Sequence, residues 1–178
     1  MLEDISKVLF TEEEIRARVT ELGRQISEDF KGEDIVVIGL LKGCFIFIAD
    51  LIRHINSNVA VDFMLVSSYG AGVVSSGEIK VRKDYSVDIE GKNVLVIDDI
   101  LDTGRTLAFV KDYLTVKSPK TIKLCTLLDK PERRTSKVTV DYVGFQVPDE
   151  FVVGYGLDFD EKYRNLPFIG VLRPESYK

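Results

Sequence analysis

The sequence predicts an α/β fold with a mainly parallel central sheet flanked by helices. Short, almost entirely apolar runs recur along the chain, as in strands that are buried on both faces. Segments with helical periodicity or helix-start signals separate these runs, and this alternation is typical of an α/β domain. The length of 178 residues suits one domain, which we expect to cover residues 1–178.

The first helix is predicted over residues 11 to about 30. Thr11 and Glu14 form a capping box, in which each side chain bonds the backbone N–H of the other residue. An apolar stripe with spacings of four, three and four follows, and it consists of Ile15, Val19, Leu22 and Ile26. Such a stripe indicates a helix that packs along one side.

Later elements continue the alternation. Strands are predicted from apolar runs at residues 35–40, 59–66, 93–97 and 121–128, with further candidates at 79–85, 141–147, 151–155 and 169–172. Helices are expected from about Phe45 to Ile55, and from near Arg105 to a point before Pro119. Residues 67–78 are polar and rich in glycine, which predicts a long functional or mobile loop at the tip of a hairpin.

Composition excludes several classes of function. The net charge of −5 argues against a surface that coats nucleic acid. The two cysteines, Cys44 and Cys125, form no C-x-x-C pair, which fits a reducing compartment. Neither a signal segment nor an apolar run of membrane-spanning length occurs. We therefore expect a cytoplasmic protein with no nucleic-acid partner and no membrane partner.

The strongest functional signal lies in residues 94–106. An apolar strand delivers Asp98 and Asp99 to its carboxyl end, where α/β sheets bind ligands. A tight loop then opens a helix, and it contains Asp102, Thr103, Gly104, Arg105 and Thr106. Its N–H groups and hydroxyls converge in front of the helix dipole, which predicts a phosphate site. The upstream carboxylates suit ribose hydroxyls or a metal.

Other interpretations of this segment fit less well. Either half alone would favour solvated acids followed by an ordinary capped helix, but both halves in this order are far more specific. G-x-G-x-x-G and G-x-x-x-x-G-K-[ST] are both absent, which excludes dinucleotide and P-loop sites. Receiver domains carry paired acids after their first strand, whereas Asp98 and Asp99 lie midway along this chain. Phosphatases with two aspartates need D-x-D, whereas Asp99 and Asp102 are three residues apart.

Residues 94–106 resemble the phosphoribosyl-pyrophosphate motif of the type I phosphoribosyltransferases, and most of the chain is similar to their hypoxanthine-guanine branch. The other matching segments are the pyrophosphate loop Leu41-Lys42-Gly43, the lid Ser68-Tyr69, the base-reading Lys130, the purine-binding residues 151–158, and the late Arg164. The branch commonly has Glu-Asp where this chain has Asp98-Asp99, and Cys44 replaces a small residue of many relatives.

This resemblance implies an activity and a fold. The enzyme would transfer the 5-phosphoribosyl group from phosphoribosyl pyrophosphate to hypoxanthine or guanine, with Mg²⁺ as cofactor, and would give IMP or GMP and pyrophosphate. The fold would carry a small hood formed by the terminal segments and a mobile hairpin loop. The peptide bond between Leu41 and Lys42 would be cis or switchable, and the assembly would be a homodimer or homotetramer.

The resemblance also implies roles for single residues. The phosphoribosyl group would be held by Asp98, Asp99, Asp102, Thr103, Gly104, Arg105 and Thr106, and magnesium by Asp98, Asp99 and Asp158. Pyrophosphate would be held by Lys42, Gly43 and Arg164, and the purine by Lys130, Phe151, Val152 and Asp158. Asp102 would exchange a proton with the purine N7 as general base or acid.

Structural alternatives stay open for several of these residues. Lys130 could be a solvated loop lysine, and Phe151 could belong to the core. Arg164 could be a cation at a helix end, and Asp158 could be the N-cap of a helix near Glu161. A different class of function, a ligand-sensing regulator on the same fold, is disfavoured by the acidic charge and by the lack of an appended helix-turn-helix.

Overall fold

The computed structural model describes residues 2–68 and 79–177. Within these ranges the α-helices are α1 (Glu12–Phe30), α2 (Phe45–Leu51) and α3 (Arg105–Thr115). The strands are β1 (Ile5–Phe10), β2 (Ile35–Leu41), β3 (Val59–Ser68), β4 (Ile79–Lys83), β5 (Asn93–Leu101), β6 (Thr121–Asp129), β7 (Tyr142–Gln146), β8 (Val152–Val153) and β9 (Ile169–Leu172). Short 3-10 helices cover Leu2–Asp4, Ile52–His54, Pro131–Arg133 and Pro174–Ser176. No helix in the described ranges is long and apolar enough to cross a membrane.

The larger sheet is mainly parallel, as predicted. Its strand order is β4-β3-β2-β5-β6-β7, and only the pairing of β3 with β4 is antiparallel. In the register of the two central strands, Gly39 of β2 lies beside Ile97 of β5. The carboxyl ends of β2, β5 and β6 therefore meet at one edge of the sheet, which is where open α/β sheets bind ligands.

The apolar core lies on both faces of this sheet. Residues of α1 and α2 pack with Ile35 and Val37 on one face, and residues of α3 pack with Val36 and Ile38 on the other. The predicted stripe of α1 is confirmed, since Ile15, Val19, Leu22 and Ile26 are all buried. Burying one such side chain stabilises the fold by about 1.5–3 kcal/mol. The capping box of Thr11 and Glu14 is also present, with both of its hydrogen bonds.

A second, smaller sheet joins the two ends of the chain. Its order is β1-β9-β8, and both pairings are antiparallel. This sheet is the hood that the resemblance implied, because β1 and β9 come from the terminal segments. Val152 and Ile169 of this sheet pack into the same apolar cluster as α1 and α2. The strand β1 was not predicted from the sequence.

Asp62 of β3 anchors the segment that follows β4. Its Oδ2 accepts hydrogen bonds from the backbone N–H of Ser86 at 2.6 Å, the Ser86 hydroxyl at 3.0 Å and the Val87 N–H at 3.1 Å. Its Oδ1 accepts from the Phe63 N–H at 2.7 Å, and Lys83 Nζ lies 3.7 Å away. The bond from the Ser86 N–H, followed by those from Phe63 and Val87, holds the pKa of Asp62 well below its usual range.

Several element boundaries differ from the prediction. The strand expected at residues 93–97 continues through the acidic pair to Leu101, because Asp98, Ile100 and Leu101 still pair with β6. The expected strand at residues 151–155 covers only Val152–Val153, since Gly154 and Tyr155 have positive φ. The helix expected to end near Ile55 is α2 followed by a 3-10 turn. In the described part of the chain, no helix forms near Glu161.

Candidate active site

Three segments of the predicted site meet near the carboxyl ends of β2 and β5. The peptide bond between Leu41 and Lys42 is cis, in agreement with the resemblance. A β-carbon on Gly43 would overlap the carboxylate of Asp99, and one on Gly156 would overlap the carbonyl oxygen of Gly43. These close approaches bring the predicted pyrophosphate loop, the acidic pair and the predicted purine segment together.

The acidic pair is partly buried, and each carboxylate accepts a hydrogen bond from the backbone N–H of the residue that follows it. Asp98 Oδ1 accepts from the Asp99 N–H at 3.0 Å, and Asp99 Oδ1 accepts from the Ile100 N–H at 2.8 Å. Burial and the neighbouring Asp99 carboxylate raise the pKa of Asp98, and burial raises the pKa of Asp99. Two adjacent carboxylates that resist ionisation gain from a cation beside them, so this pair can bind a divalent metal or ribose hydroxyls.

Among the residues that the structure describes, no group of three or more His, Cys, Asp or Glu side chains is arranged to hold a metal ion. If only the acidic pair bound an octahedral ion, water and substrate would fill most of the coordination positions of that ion. This suits Mg²⁺, which keeps several waters and is bound in proteins through one or two carboxylates together with substrate phosphates.

The predicted phosphate loop has the geometry that its sequence suggested. Gly104 is the N-cap of α3 with a φ of 83°, a left-handed conformation that favours glycine. The carbonyl oxygen of Thr103 accepts from the N–H groups of Thr135 and Ser136 at 3.0 Å each, which braces the loop. A cavity of about 60 Å³ is lined by residues that include Asp98, Asp102, Thr103 and Thr106. The first N–H groups of an α-helix have no partner within the helix, and the cavity lies at the start of α3, so a phosphate can bind there.

The side chain of Asp102 faces Arg133, a basic residue that was not predicted to belong to the site. Arg133 Nε lies 2.9 Å from Asp102 Oδ1, at ion-pair distance but without hydrogen-bond geometry within the described residues. Arg133 Nη1 also contacts Asp149 Oδ1 at 3.3 Å. Arg134 donates through Nε to the Asp102 carbonyl oxygen at 3.3 Å and through Nη2 to Asp129. The only sequence signal for Arg133 is its position three residues after Lys130.

Lys130 is buried, which contradicts the alternative of a solvated loop lysine. Only 9% of the residue is exposed, and its Nζ donates to the carbonyl oxygen of Glu150 at 2.6 Å. The carboxylate of Asp149 lies further away, at 3.9 Å. Burial lowers the pKa of Lys130. An ammonium has three donors, so Lys130 can also donate to a ligand.

Phe151 lies at the surface rather than in the core, which contradicts the core alternative. It is 37% exposed. Its ring stacks on Tyr177 with the centroids 4.9 Å apart, and Phe159 meets it edge-on at 5.5 Å. Val152, next to it, is buried. The contacts with Tyr177 and Phe159 fix the orientation of the Phe151 ring, and an aromatic ring held in this way can stack on another ring. The sequence reasoning did not include Phe159 or Tyr177.

The predicted pyrophosphate cations meet around one carboxylate. Arg164 donates through Nη1 to the Gly156 carbonyl oxygen at 2.8 Å, and its Nη2 lies 2.9 Å from Asp158 Oδ1 and 3.2 Å from Glu161 Oε2. Lys42 Nζ donates to Glu161 Oε1 at 2.8 Å. The helix-end alternative for Arg164 is wrong, as the described chain has no helix here. Asp158 does accept from the Glu161 N–H at 2.8 Å, but in a turn.

The remaining predicted positions do not add to this cluster. Ser68 ends β3, whereas Tyr69 and residues 70–78 lie outside the described residues, so the lid is not part of the described site. Cys44 is buried, and burial raises the pKa of its thiol. His54 lies on a 3-10 turn against α1, where its Nε2 is 3.5 Å from Thr20 Oγ1.

Comparison with known proteins identifies the family. Residues 7–160 match the phosphoribosyl transferase domain. The chain belongs to this family, which confirms the predicted class of enzyme.

Relatives identify the branch. The chain is 50% identical over 178 residues to the hypoxanthine-guanine phosphoribosyltransferase of Streptococcus thermophilus (strain CNRZ 1066), with 99% of each chain covered. The crystal structure of a hypoxanthine phosphoribosyltransferase from Staphylococcus aureus superposes with a TM-score of 0.96 at 48% identity, over 100% of this chain and 97% of the other. The chain is also 51% identical to the bifunctional protein TilS/HprT of Listeria monocytogenes serotype 4b (strain F2365), with 99% of this chain covered, and spans 27% of its length. The predicted fold and the predicted likeness to the hypoxanthine-guanine branch are confirmed.

Proposed function

We propose that this protein transfers the 5-phosphoribosyl group from phosphoribosyl pyrophosphate to hypoxanthine or guanine, and so acts in purine salvage. The observation that carries this proposal is the meeting of three features at one edge of the sheet. A phosphate loop at the start of α3, an acidic pair at the end of β5 and a buried lysine after β6 lie together in a phosphoribosyltransferase. Each feature suits one part of a nucleotide: the 5-phosphate, the ribose and the base.

The cations of the site suit the departure of pyrophosphate. When pyrophosphate leaves, positive charge develops on the ribose ring and negative charge on the leaving group. Lys42 and Arg164 lie together and can neutralise that negative charge, and a guanidinium can donate to two phosphate oxygens at once. The N–H of Gly43 is the third proposed donor to this group, and Gly43 packs directly against the acidic pair at Asp99.

Magnesium fits the acidic pair. Asp98 and Asp99 supply adjacent, partly buried carboxylates, and burial raises the pKa of both. Bound Mg²⁺ would supply electrostatic stabilisation of the leaving pyrophosphate. Asp158 is the residue proposed for a second ion. Its two oxygens contact Arg164 and the N–H of Glu161, and each oxygen retains a further lone pair.

Asp102 is the proposed partner of the purine N7. It lines the cavity proposed for phosphate, and the neighbouring Leu101 carbonyl accepts from the Lys130 N–H, so Asp102 would lie between a bound ribose phosphate and the base. Its Oδ1 lies 2.9 Å from Arg133 Nε, so this cation holds the carboxylate in place at the edge of the cavity. We assign it the role of general base in the forward reaction and general acid in reverse.

Lys130 is the proposed determinant of base specificity. Its ammonium can donate to O6 of hypoxanthine, guanine or xanthine, whereas adenine presents an amino group there. A buried donor that faces another donor loses solvation without gaining a bond, and such sites reject the wrong analogue by roughly 10⁴–10⁵. Phe151 would stack on any purine. The carbonyl of Val152 would accept from the 2-amino group of guanine and disfavour the 2-oxygen of xanthine.

Activity on four purines tests this proposal. With phosphoribosyl pyrophosphate and Mg²⁺, we expect hypoxanthine and guanine to be good substrates, xanthine poor and adenine negligible, measured as kcat/KM by absorbance. Lys130→Met should lower kcat/KM for hypoxanthine by about 10–10², the usual value of a hydrogen bond to a charged group. Lys137→Met, at an exposed position nearby, is the control. Adenine within tenfold of hypoxanthine in the wild-type enzyme would rule out this role of Lys130.

The remaining proposals concern organisation. We propose a single domain over residues 1–178, a homodimer or homotetramer, a location in the cytoplasm, and small-molecule partners without nucleic acid or membrane. The 99% mutual coverage with the Streptococcus thermophilus relative supports the single domain. Light scattering after size-exclusion chromatography gives the mass of the assembly, and a monomeric mass would refute the oligomer.

A further inference from the structure

Glu161 is the residue that joins the two cations of the proposed pyrophosphate site. Its Oε1 accepts from Lys42 Nζ at 2.8 Å, and its Oε2 lies 3.2 Å from Arg164 Nη2. Lys42 and Glu161 are 119 positions apart in the chain, so this contact is made by the fold rather than by local sequence. A single carboxylate thus sits between both side chains that would receive pyrophosphate.

The backbone directs Glu161 to this position. Asp160, Glu161 and Tyr163 have φ values of 50°, 61° and 74°, all in the left-handed region that non-glycine residues rarely adopt. Reciprocal bonds between the backbones of Phe159 and Lys162, at 3.0 and 3.2 Å, close this turn. Residues in such conformations persist where the surroundings fix them, and they cluster at ligand sites. The turn therefore presents the Glu161 side chain as part of the site.

The carboxylate of Glu161 and a phosphate group would use the same donors. Arg164 Nη2 is already shared by Asp158 and Glu161, and Nη1 is bonded to the Gly156 carbonyl oxygen. Lys42 and Arg164 keep further N–H donors, but pyrophosphate bound to the Lys42 ammonium and this guanidinium edge would lie against the Glu161 carboxylate, and the two anions would compete for the same two cations. Departure is sterically open, because the Glu161 side chain is 64% exposed. Asp158, at 28%, is held more firmly against Arg164.

We propose that Glu161 is an internal competitor of pyrophosphate, which pairs with Lys42 and Arg164 in the free enzyme and is displaced when pyrophosphate binds. This inference rests on the proposed function, since it takes the two cations as the pyrophosphate ligands. Glu161 keeps both cations in position between turnovers. It also weakens the binding of pyrophosphate, and so favours the release of this product.

Calorimetric titration with inorganic pyrophosphate at fixed MgCl₂ tests this role, because a competitor and a positioning residue predict opposite changes in the Kd for pyrophosphate when Glu161 is replaced. Glu161→Gln removes the competing charge, so we expect the Kd for pyrophosphate to fall by about three- to tenfold, as for the loss of two exposed ion pairs. Asp160→Asn is the matched control. It removes the same charge one residue away, where the carboxylate pairs only with Lys162 at 3.5 Å in the described structure. Its Kd should stay within twofold of wild type.

The two possible failures are distinguishable. If wild-type enzyme binds pyrophosphate and Glu161→Gln binds it equally or more weakly, Glu161 is a positioning residue and the inference is overturned. An equal gain in Asp160→Asn would attribute the effect to net charge and would also overturn it. Failure of the wild-type enzyme to bind pyrophosphate would refute the proposed function itself. Glu161→Asp keeps the charge but shortens the reach, and it should bind pyrophosphate more tightly than wild type even if Glu161→Gln folds poorly.

Discussion

Replacing Asp62 with asparagine is expected to destabilise the hairpin of β3 and β4 and the segment behind it. The side chain of Asp62 is only 15% exposed and accepts four hydrogen bonds. Three of them come from Ser86 and Val87, and so tie a distant segment to β3. Asparagine keeps one acceptor oxygen but places an amide donor where the second carboxylate oxygen was, next to the N–H of Phe63.

The magnitude follows from these contacts. A hydrogen bond to a charged group contributes about 1.5–3 kcal/mol and a neutral one about 0.5–1.5 kcal/mol, so each of the three distant bonds loses roughly 1 kcal/mol. The bonds share one oxygen and are therefore not independent. We expect the free energy of unfolding at pH 7 to fall by about 2–4 kcal/mol. For a chain of this size, that lowers Tm by about 5–15 °C.

The dependence on pH gives a second signature. The pKa of Asp62 is lowered in the folded protein, so its stabilising effect is fully present above the unfolded value of about 3.9 and is lost as pH falls from there toward the folded value. Urea unfolding of wild type and Asp62→Asn should therefore differ most near neutral pH and converge below about pH 4. Asp88→Asn, on an exposed turn beside Lys92, is the control and should change stability by less than about 0.5 kcal/mol. A difference between wild type and Asp62→Asn that stays constant from pH 7 to pH 3 would refute this reasoning.

Two further predictions concern the site. Asp102→Asn should lower kcat by about 10²–10⁴ with little change in the binding of phosphoribosyl pyrophosphate, as for loss of a positioned base; near-normal turnover would assign Asp102 to structure only. Gly43→Ala should weaken pyrophosphate binding by more than tenfold at unchanged circular dichroism, because its β-carbon would overlap the Asp99 carboxylate and one of the two must move. Wild-type affinity in Gly43→Ala, measured by calorimetry, would show that this close approach is not needed.

The sequence predicted those elements whose local pattern and tertiary setting agree. The capping box and apolar stripe of α1 are confirmed because the same residues that favour a helix also face the core. The buried strands were predicted for a similar reason, since uninterrupted apolar runs need cover on both faces. The start of α3 at Arg105 was predicted because Gly104 and its neighbours form a turn signal in a short contiguous segment, whereas phosphate binding by this loop stays a prediction.

Features that depend on distant partners were missed. Strand β1 forms because β9, more than 150 residues later, pairs with it, and nothing in its own six residues requires a strand. Strand β5 continues past Asp98 and Asp99 because pairing with β6 outweighs the turn tendency of two acidic residues. The contacts of Arg133 with Asp102 and of Glu161 with Lys42 likewise join loops that are far apart in sequence, so no local spacing predicts them.

The small sheet has a consequence for how the site is completed during synthesis of the chain. The strands of the large sheet in the described structure all lie before residue 147, so the acidic pair and the loop that precedes α3 can take their positions before residues 148–178 are synthesised. The central strand of the small sheet, β9, joins β1 to β8, which follows directly on Phe151. A chain shortened before β9 would keep the elements proposed to hold ribose and phosphate, but it would lose the strand that supports β8 and Phe151, the residue proposed to stack on the base.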